Sequence, residues 1–165
     1  MTVAPIAILA FVTGQRLFEL WLSNRNTRLL LENGAVEHSP GHYPLIVGVH
    51  IFWLASLWWF ASGQPIHYVW LALFILLQFG RFWVLATLGP RWTTRIITLP
   101  DSPLVREGPY RLFRHPNYLV VVGEIAVLPL VFGLWEIAIL FSLLNAAVFA
   151  IRIRAENAAL NPQRG

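Results

Sequence analysis

Cysteine is missing from all 165 residues, which excludes disulfides, thiolate nucleophiles and Cys-ligated metal centres. Lysine is missing as well: every one of the twelve basic residues is Arg. Charge of either sign is scarce, 12% of the chain against 57% hydrophobic residues and a mean hydropathy of +0.61, where soluble domains carry about 25% charge. Gly-rich nucleotide fingerprints, a Ser-centred nucleophile elbow and DNA-binding patterns are absent, so no nucleic-acid partner is expected. So are internal repeats, low-complexity tracts and coiled-coil heptads. The five His give no metal signal. His38 and His42 have helical ligand spacing, but Ser39, Pro40 and Gly41 between them read as a loop. The stretch 1–11 has no cationic region ahead of its apolar run and no small-residue cleavage site, so it is expected to be a mature span.

What the chain does have is long apolar runs, and lipid is the solvent they suit. A spanning helix needs about 20 apolar residues, so a chain of this length holds four or five spans and no separate soluble catalytic domain. The expected architecture is an all-α polytopic transmembrane bundle of about five spans, forming one domain over 1–165. The first span covers 3–22 and carries Gln15, Arg16 and Glu19 within about one turn, on one face. Since a lipid-facing ion pair is costly, that face should point into the bundle. Polar residues over 23–42 read as an interfacial helix and loop. Further spans are expected over 43–61 and 66–88, the latter ended by Gly89 and Pro90. From Tyr118 to Ile151 the chain is apolar for 34 residues. As one helix that is about 51 Å, too long for a hydrocarbon core of about 30 Å, so a hairpin with two rather short arms, turning near 133–136, is expected.

Arginine placement orients the bundle. With the N-terminus outside, 23–42, 89–116 and 152–165 fall on one side and hold ten of the twelve arginines. The positive-inside rule makes that side cytosolic, with the C-terminus in the cytoplasm, as in a bacterial inner membrane.

The densest cluster of chemistry-bearing residues runs from Leu104 to Tyr118, within the one long polar connection. Arg111 and Arg114 stand one helical turn apart, and Tyr110, His115 and Tyr118 add hydrogen-bonding edges. Such a segment suits an anionic or nucleotide-like ligand, and equally suits an interfacial belt on lipid headgroups. The order Gly108-Pro109-Tyr110-Arg111, then Arg114-His115-Pro116 and Tyr118, resembles the first motif of the isoprenylcysteine carboxyl methyltransferase family. Arg152-Ile153-Arg154-Ala155-Glu156, followed by Leu160, resembles its second. Arg16 to Leu20, Ser23 to Asn26, Gly34 to Glu37 and His42-Tyr43-Pro44 resemble a bacterial branch, and Gly123-Glu124-Ile125 resembles enzymes that O-methylate alkylpyrones and alkylresorcinols. The chain departs from the family at Asn157, where an acidic pair is usual, and at Val120, where many members have Gly.

The resemblance implies S-adenosylmethionine as cofactor and a lipophilic small-molecule acceptor, meeting at the cytosolic interface among membrane lipids. It assigns Val105, Gly108, Tyr110, Arg114, His115, Pro116, Tyr118 and Glu156 to the cofactor. Arg152 is expected to orient the acceptor, with a structural salt bridge to Glu156 as the plain alternative. His115 is the candidate base for a phenol or enol hydroxyl. Glu124, a carboxylate inside a span, is a catalytic candidate by position, or else a partner of Arg81 or His50. Rival readings are an NADPH-dependent membrane reductase, which shares an Arg-His-Pro-x-Tyr segment, and a non-catalytic lipid- or partner-binding membrane protein.

Overall fold

The structure, a computed structural model, describes residues 3–38, 41, 43–100, 102–103 and 105–160. Leu104 and His42 of the sequence motifs lie outside them. Five α-helices form the bundle: α1 (Val3–Glu32), α2 (Tyr43–Phe60), α3 (Tyr68–Leu88), α4 (Pro116–Val131) and α5 (Trp135–Leu160). The connections contribute two short strands, β1 (Val36–His38) and β2 (Ile96–Thr98), and helical turns at Gly89–Arg91 and Gly108–Arg111. Four helices are long and apolar enough to cross a membrane; α4, with 16 residues, is shorter. The chain is an integral membrane protein.

Burial explains why a helix of about 24 Å suffices for α4. Ten of its 16 residues are buried, whereas α2 buries only Trp53 and Leu57. Helix α4 is therefore the centre of the bundle, solvated by protein instead of lipid, and its length need not match the bilayer. Ile125, Leu128, Val131 and Phe132 pack there with Leu9, Val12 and Leu57. Pro129 lies inside the last turn of α4, and the helix stops two residues later. The turn that follows uses Gly133 at φ 69°. A Cβ there would come within 3.1 Å of the His67 ring, so glycine serves both the left-handed backbone and the close approach. The His67 N–H donates to the Val131 carbonyl at 2.8 Å, joining the two arginine-free turns at one end. The two arms of this hairpin are unequal, since α5 runs for 26 residues.

Two expectations are revised. The polar stretch from 23 onward is not a separate interfacial helix but the continuation of α1, a 30-residue helix. No proline interrupts it there, and Ser23, Asn26 and Thr27 form a buried inward face, while Asn24, Arg25 and Arg28 are exposed on the other side. The long polar connection contains β2, which pairs antiparallel with β1, Val36 opposite Thr98 and His38 opposite Ile96.

Deep in the bundle four charges neutralise one another. Arg16 donates to Glu19 at 2.9 Å and to Glu124 at 2.6 Å. Arg81 donates through Nε to Glu19 at 2.6 Å and through Nη1 to Glu124 at 3.0 Å. Gln78 donates to the second Glu124 oxygen at 2.8 Å. Glu124 is fully buried, and Arg81 is its partner; His50 instead bonds the Ile46 carbonyl at 2.9 Å. The cluster ties α1 to α3 and α4. Removing one cation strands carboxylates in low dielectric, which costs about 3–5 kcal/mol. Arg81→Met is accordingly expected to lower the thermal unfolding midpoint in detergent severely, and an unchanged midpoint would show that the cluster contributes nothing to the fold.

Candidate functional site

The arginine-rich segments meet at one end of the bundle. Asn26 of α1 donates to the carbonyls of Gly89 at 3.2 Å and Trp92 at 2.9 Å. Arg95 reaches Glu37 of β1 at 3.0 Å and lies over the Tyr43 ring at 4.8 Å. These bonds fold the polar connection back over the helix ends and leave a partly open cleft of about 230 Å³ beneath it. Trp92 to Leu99 form one wall, Leu30 and Leu88 sit at the α1 and α3 side, and the first turn of α4 with the last turns of α5 forms the other wall.

Of the residues singled out in the sequence, Val105, Tyr110, Arg114, His115, Tyr118, Arg152 and Glu156 line this cleft together. Tyr118 is their hub. Its hydroxyl accepts from Arg152 Nε at 2.7 Å and donates to Glu156 Oε2 in a short hydrogen bond. Its ring packs on Phe149 at 4.8 Å and His115 at 5.4 Å between centroids, with the Arg152 guanidinium 5.7 Å from its own centre. His115 Nδ1 stands 3.4 Å from Glu156 Oε1, beyond the usual N–H···O range of about 2.7–3.2 Å but close enough for the carboxylate to favour a proton on that nitrogen. Helical spacing explains the convergence: Arg152 and Glu156 are one turn apart on α5, as are His115 and Tyr118 at the start of α4.

Three other motif residues stand elsewhere. Gly108 begins its helical turn at φ 53°, against α3, where a Cβ would fall 2.4 Å from Thr87 Oγ1. Its glycine sets how closely the turn approaches α3. Pro116 opens α4, in the first helical position. Glu124 lies two turns farther along α4, inside the ion cluster.

The sequence reading missed the residues that hold Arg152. Arg152 Nη2 donates to the Thr94 carbonyl at 2.6 Å. The Thr94 N–H donates to Ser23 Oγ at 2.8 Å, and its hydroxyl contacts Ser23 Oγ at 2.7 Å and Tyr43 at 3.1 Å. One threonine thus links α1, α2 and α5. No periodicity marks it, because its key group is a backbone carbonyl. Within the cleft, the buried Trp92 Nε1, Arg95 Nε and Asn117 Oδ1 have no protein partner among the described residues. A ligand that carries both donors and acceptors would complete them.

A family model described as the isoprenylcysteine carboxyl methyltransferase family matches residues 70–162, which span α3 to α5 and both cleft motifs. Two bacterial proteins are similar over nearly their whole lengths. The uncharacterised protein YpbQ of Bacillus subtilis is 36% identical, over 93% of this chain and 94% of its own. An uncharacterised protein of Haemophilus influenzae is 24% identical, over 92% of each chain. No solved structure matches.

Burial and the negative charge of Glu156 push the Tyr110 phenol above its ordinary value of about 10. Because the unfolded phenol ionises first, the fold loses this contribution as pH rises above about 10. The difference in tyrosinate absorbance between wild type and Tyr110→Phe should therefore show no transition near pH 10, and a transition there would mean that Tyr110 is solvated.

Proposed function

The chain belongs to the isoprenylcysteine carboxyl methyltransferase family, a family of membrane methyltransferases that use S-adenosylmethionine, and from that membership we propose that it methylates the hydroxyl of a lipid-like acceptor at the cytosolic face of a bacterial inner membrane. The observation that carries this reading is the Arg152–Tyr118–Glu156–His115 chain, which lines the cleft at the arginine-rich end.

The residues present fit the cofactor. Its carboxylate suits the guanidinium of Arg114 or Arg91 at the cleft wall, and its cationic half suits the Glu156 carboxylate. The unpartnered Trp92 Nε1 and Asn117 Oδ1 offer a donor and an acceptor for its polar edges. When bound, the cofactor supplies an electrophilic methyl group. The protein contributes position and a dry wall: Tyr118, Phe149 and Trp92 exclude water, and Arg152 is fixed at both ends by Tyr118 and Thr94.

An acceptor hydroxyl must lose its proton, whereas a carboxylate has none to lose. The contact between Glu156 and His115 Nδ1 keeps a proton on that nitrogen and leaves Nε2 as the basic atom of a cleft-lining imidazole. A built-in base favours a phenol or enol, and an alkylpyrone or alkylresorcinol has such a hydroxyl on a long apolar tail. With the arginine-rich end in the cytoplasm and the N-terminus outside, a soluble methyl donor enters from water and the acceptor from the bilayer.

Purified protein in nanodiscs is expected to bind labelled S-adenosylmethionine and to pass the label to a long-chain phenol or pyrone but not to a fatty acid. Glu156→Gln should weaken cofactor binding about tenfold or more, while His115→Ala should leave binding intact and lower kcat about 100-fold. Failure to bind the cofactor would overturn methyl transfer. Equal use of the fatty acid would overturn the hydroxyl assignment alone.

A further inference from the structure

The outer face of α1 carries a cluster that the cleft does not use. Phe18, Trp21, Arg25 and Arg28 follow one another at three, four and three residues, which keeps them on one side of the helix. Ser23 and Asn26, buried on the opposite side, hold the cleft wall at Thr94 and Trp92. Phe18 and Trp21 are 55% and 57% exposed, and Arg25 and Arg28 are exposed with them. The two rings pack at 5.8 Å between centroids, and the Arg25 guanidinium lies 5.9 Å from the Trp21 ring centre.

Depth divides this stripe into two halves. Helix α1 has 30 residues and runs about 45 Å, about 15 Å more than a hydrocarbon core needs. Leu9 and Val12 pack in the apolar core, so the surplus lies at the other end, where Ser23 and Asn26 meet the polar connection. Trp21 therefore stands at the edge of the hydrocarbon, where indole rings settle. Arg25 and Arg28 stand one and two turns beyond it, at the level of lipid phosphates. No carboxylate among the described residues pairs with either arginine, and neither uses an N–H in a hydrogen bond to them. Two uncompensated guanidiniums one turn apart thus crown a pair of stacked, exposed rings.

We infer that this face of α1 binds an anionic phospholipid, with its phosphodiester between Arg25 and Arg28 and its glycerol and upper acyl chain against Trp21 and Phe18. Charge selects the head: a phosphodiester accepts from both guanidiniums, and two uncompensated cations favour a lipid of net negative charge over a zwitterion, whose own ammonium they repel. The rings select a lipid over a soluble phosphate, which would use the arginines and leave the aromatic pair uncovered. The site lies on the far side of α1 from the cleft, and lipid binding there does not rest on the methyl-transfer reading.

The test uses the full chain, without S-adenosylmethionine, in phosphatidylcholine nanodiscs doped with photoreactive phosphatidylglycerol or with photoreactive phosphatidylcholine of the same chains. The anionic probe should concentrate its label on residues 18–28, and unlabelled phosphatidylglycerol should compete better than phosphatidylcholine by about fivefold for each arginine. Arg25→Gln combined with Arg28→Gln should remove that preference, while Arg25→Lys combined with Arg28→Lys should keep it. Trp21→Leu should lower labelling by both probes and leave the preference in place. Arg111→Gln, at an exposed arginine elsewhere at the same end of the bundle, should not change the α1 label. Equal competition by the two lipids, a preference that survives the double Gln variant, or anionic label spread evenly over the lipid-facing helices would each overturn the inference.

Discussion

Charge in a lipid-solvated bundle has to be neutralised locally, and the Arg16–Glu19–Arg81–Glu124 cluster is where this chain meets that demand. Each carboxylate takes both guanidiniums, so none of α1, α3 and α4 can leave without stranding a buried charge. The geometry also sets depth. Arg81 fixes α3 against Glu19, which places Asn26 two turns on at the Gly89 and Trp92 carbonyls, and Ser23 at Thr94. The cluster is therefore the anchor from which the cleft, about two turns away, takes its register.

Around that anchor the protein separates an apolar perimeter from a polar end. Helix α2 and the outer faces of α3 and α5 present large side chains such as Trp59, Phe79 and Leu143 outward, as lipid requires. The three arginine-rich segments instead satisfy their polar groups on one another, through Arg95–Glu37, Asn26–Trp92 and Arg152–Thr94. The cleft is thereby built from helix ends and the connections that fold over them. The cleft takes only the ends of α1 and α3, at Leu30 and Leu88, into its wall.

Much of this was legible in the residues. Apolar run lengths gave the helices, Gly133 the hairpin turn, and the charges on one face of the first span their inward orientation. The two motifs were readable as halves of one site because Arg111 to Tyr118 and Arg152 to Glu156 carry local, fixed spacings. The limits were equally physical. Polar residues after Leu22 looked like the end of a span, although a helix continues wherever its polar face finds partners, and those partners lay about 70 residues away in the chain.

The sequence by itself determined composition, solvent and periodicity: an all-helical membrane chain, its arginine-rich end, and two clusters of chemistry-bearing side chains. Only the tertiary structure decided that Glu124 belongs to a buried ion cluster and Glu156 to the cleft, since both are carboxylates within helices and differ only in what faces them. It likewise decided that Thr94, through a backbone carbonyl, holds Arg152. The reason is common to both: local pattern fixes which side a residue takes on its own helix, but its electrostatic partner comes from another helix, and that choice is made only when the helices pack.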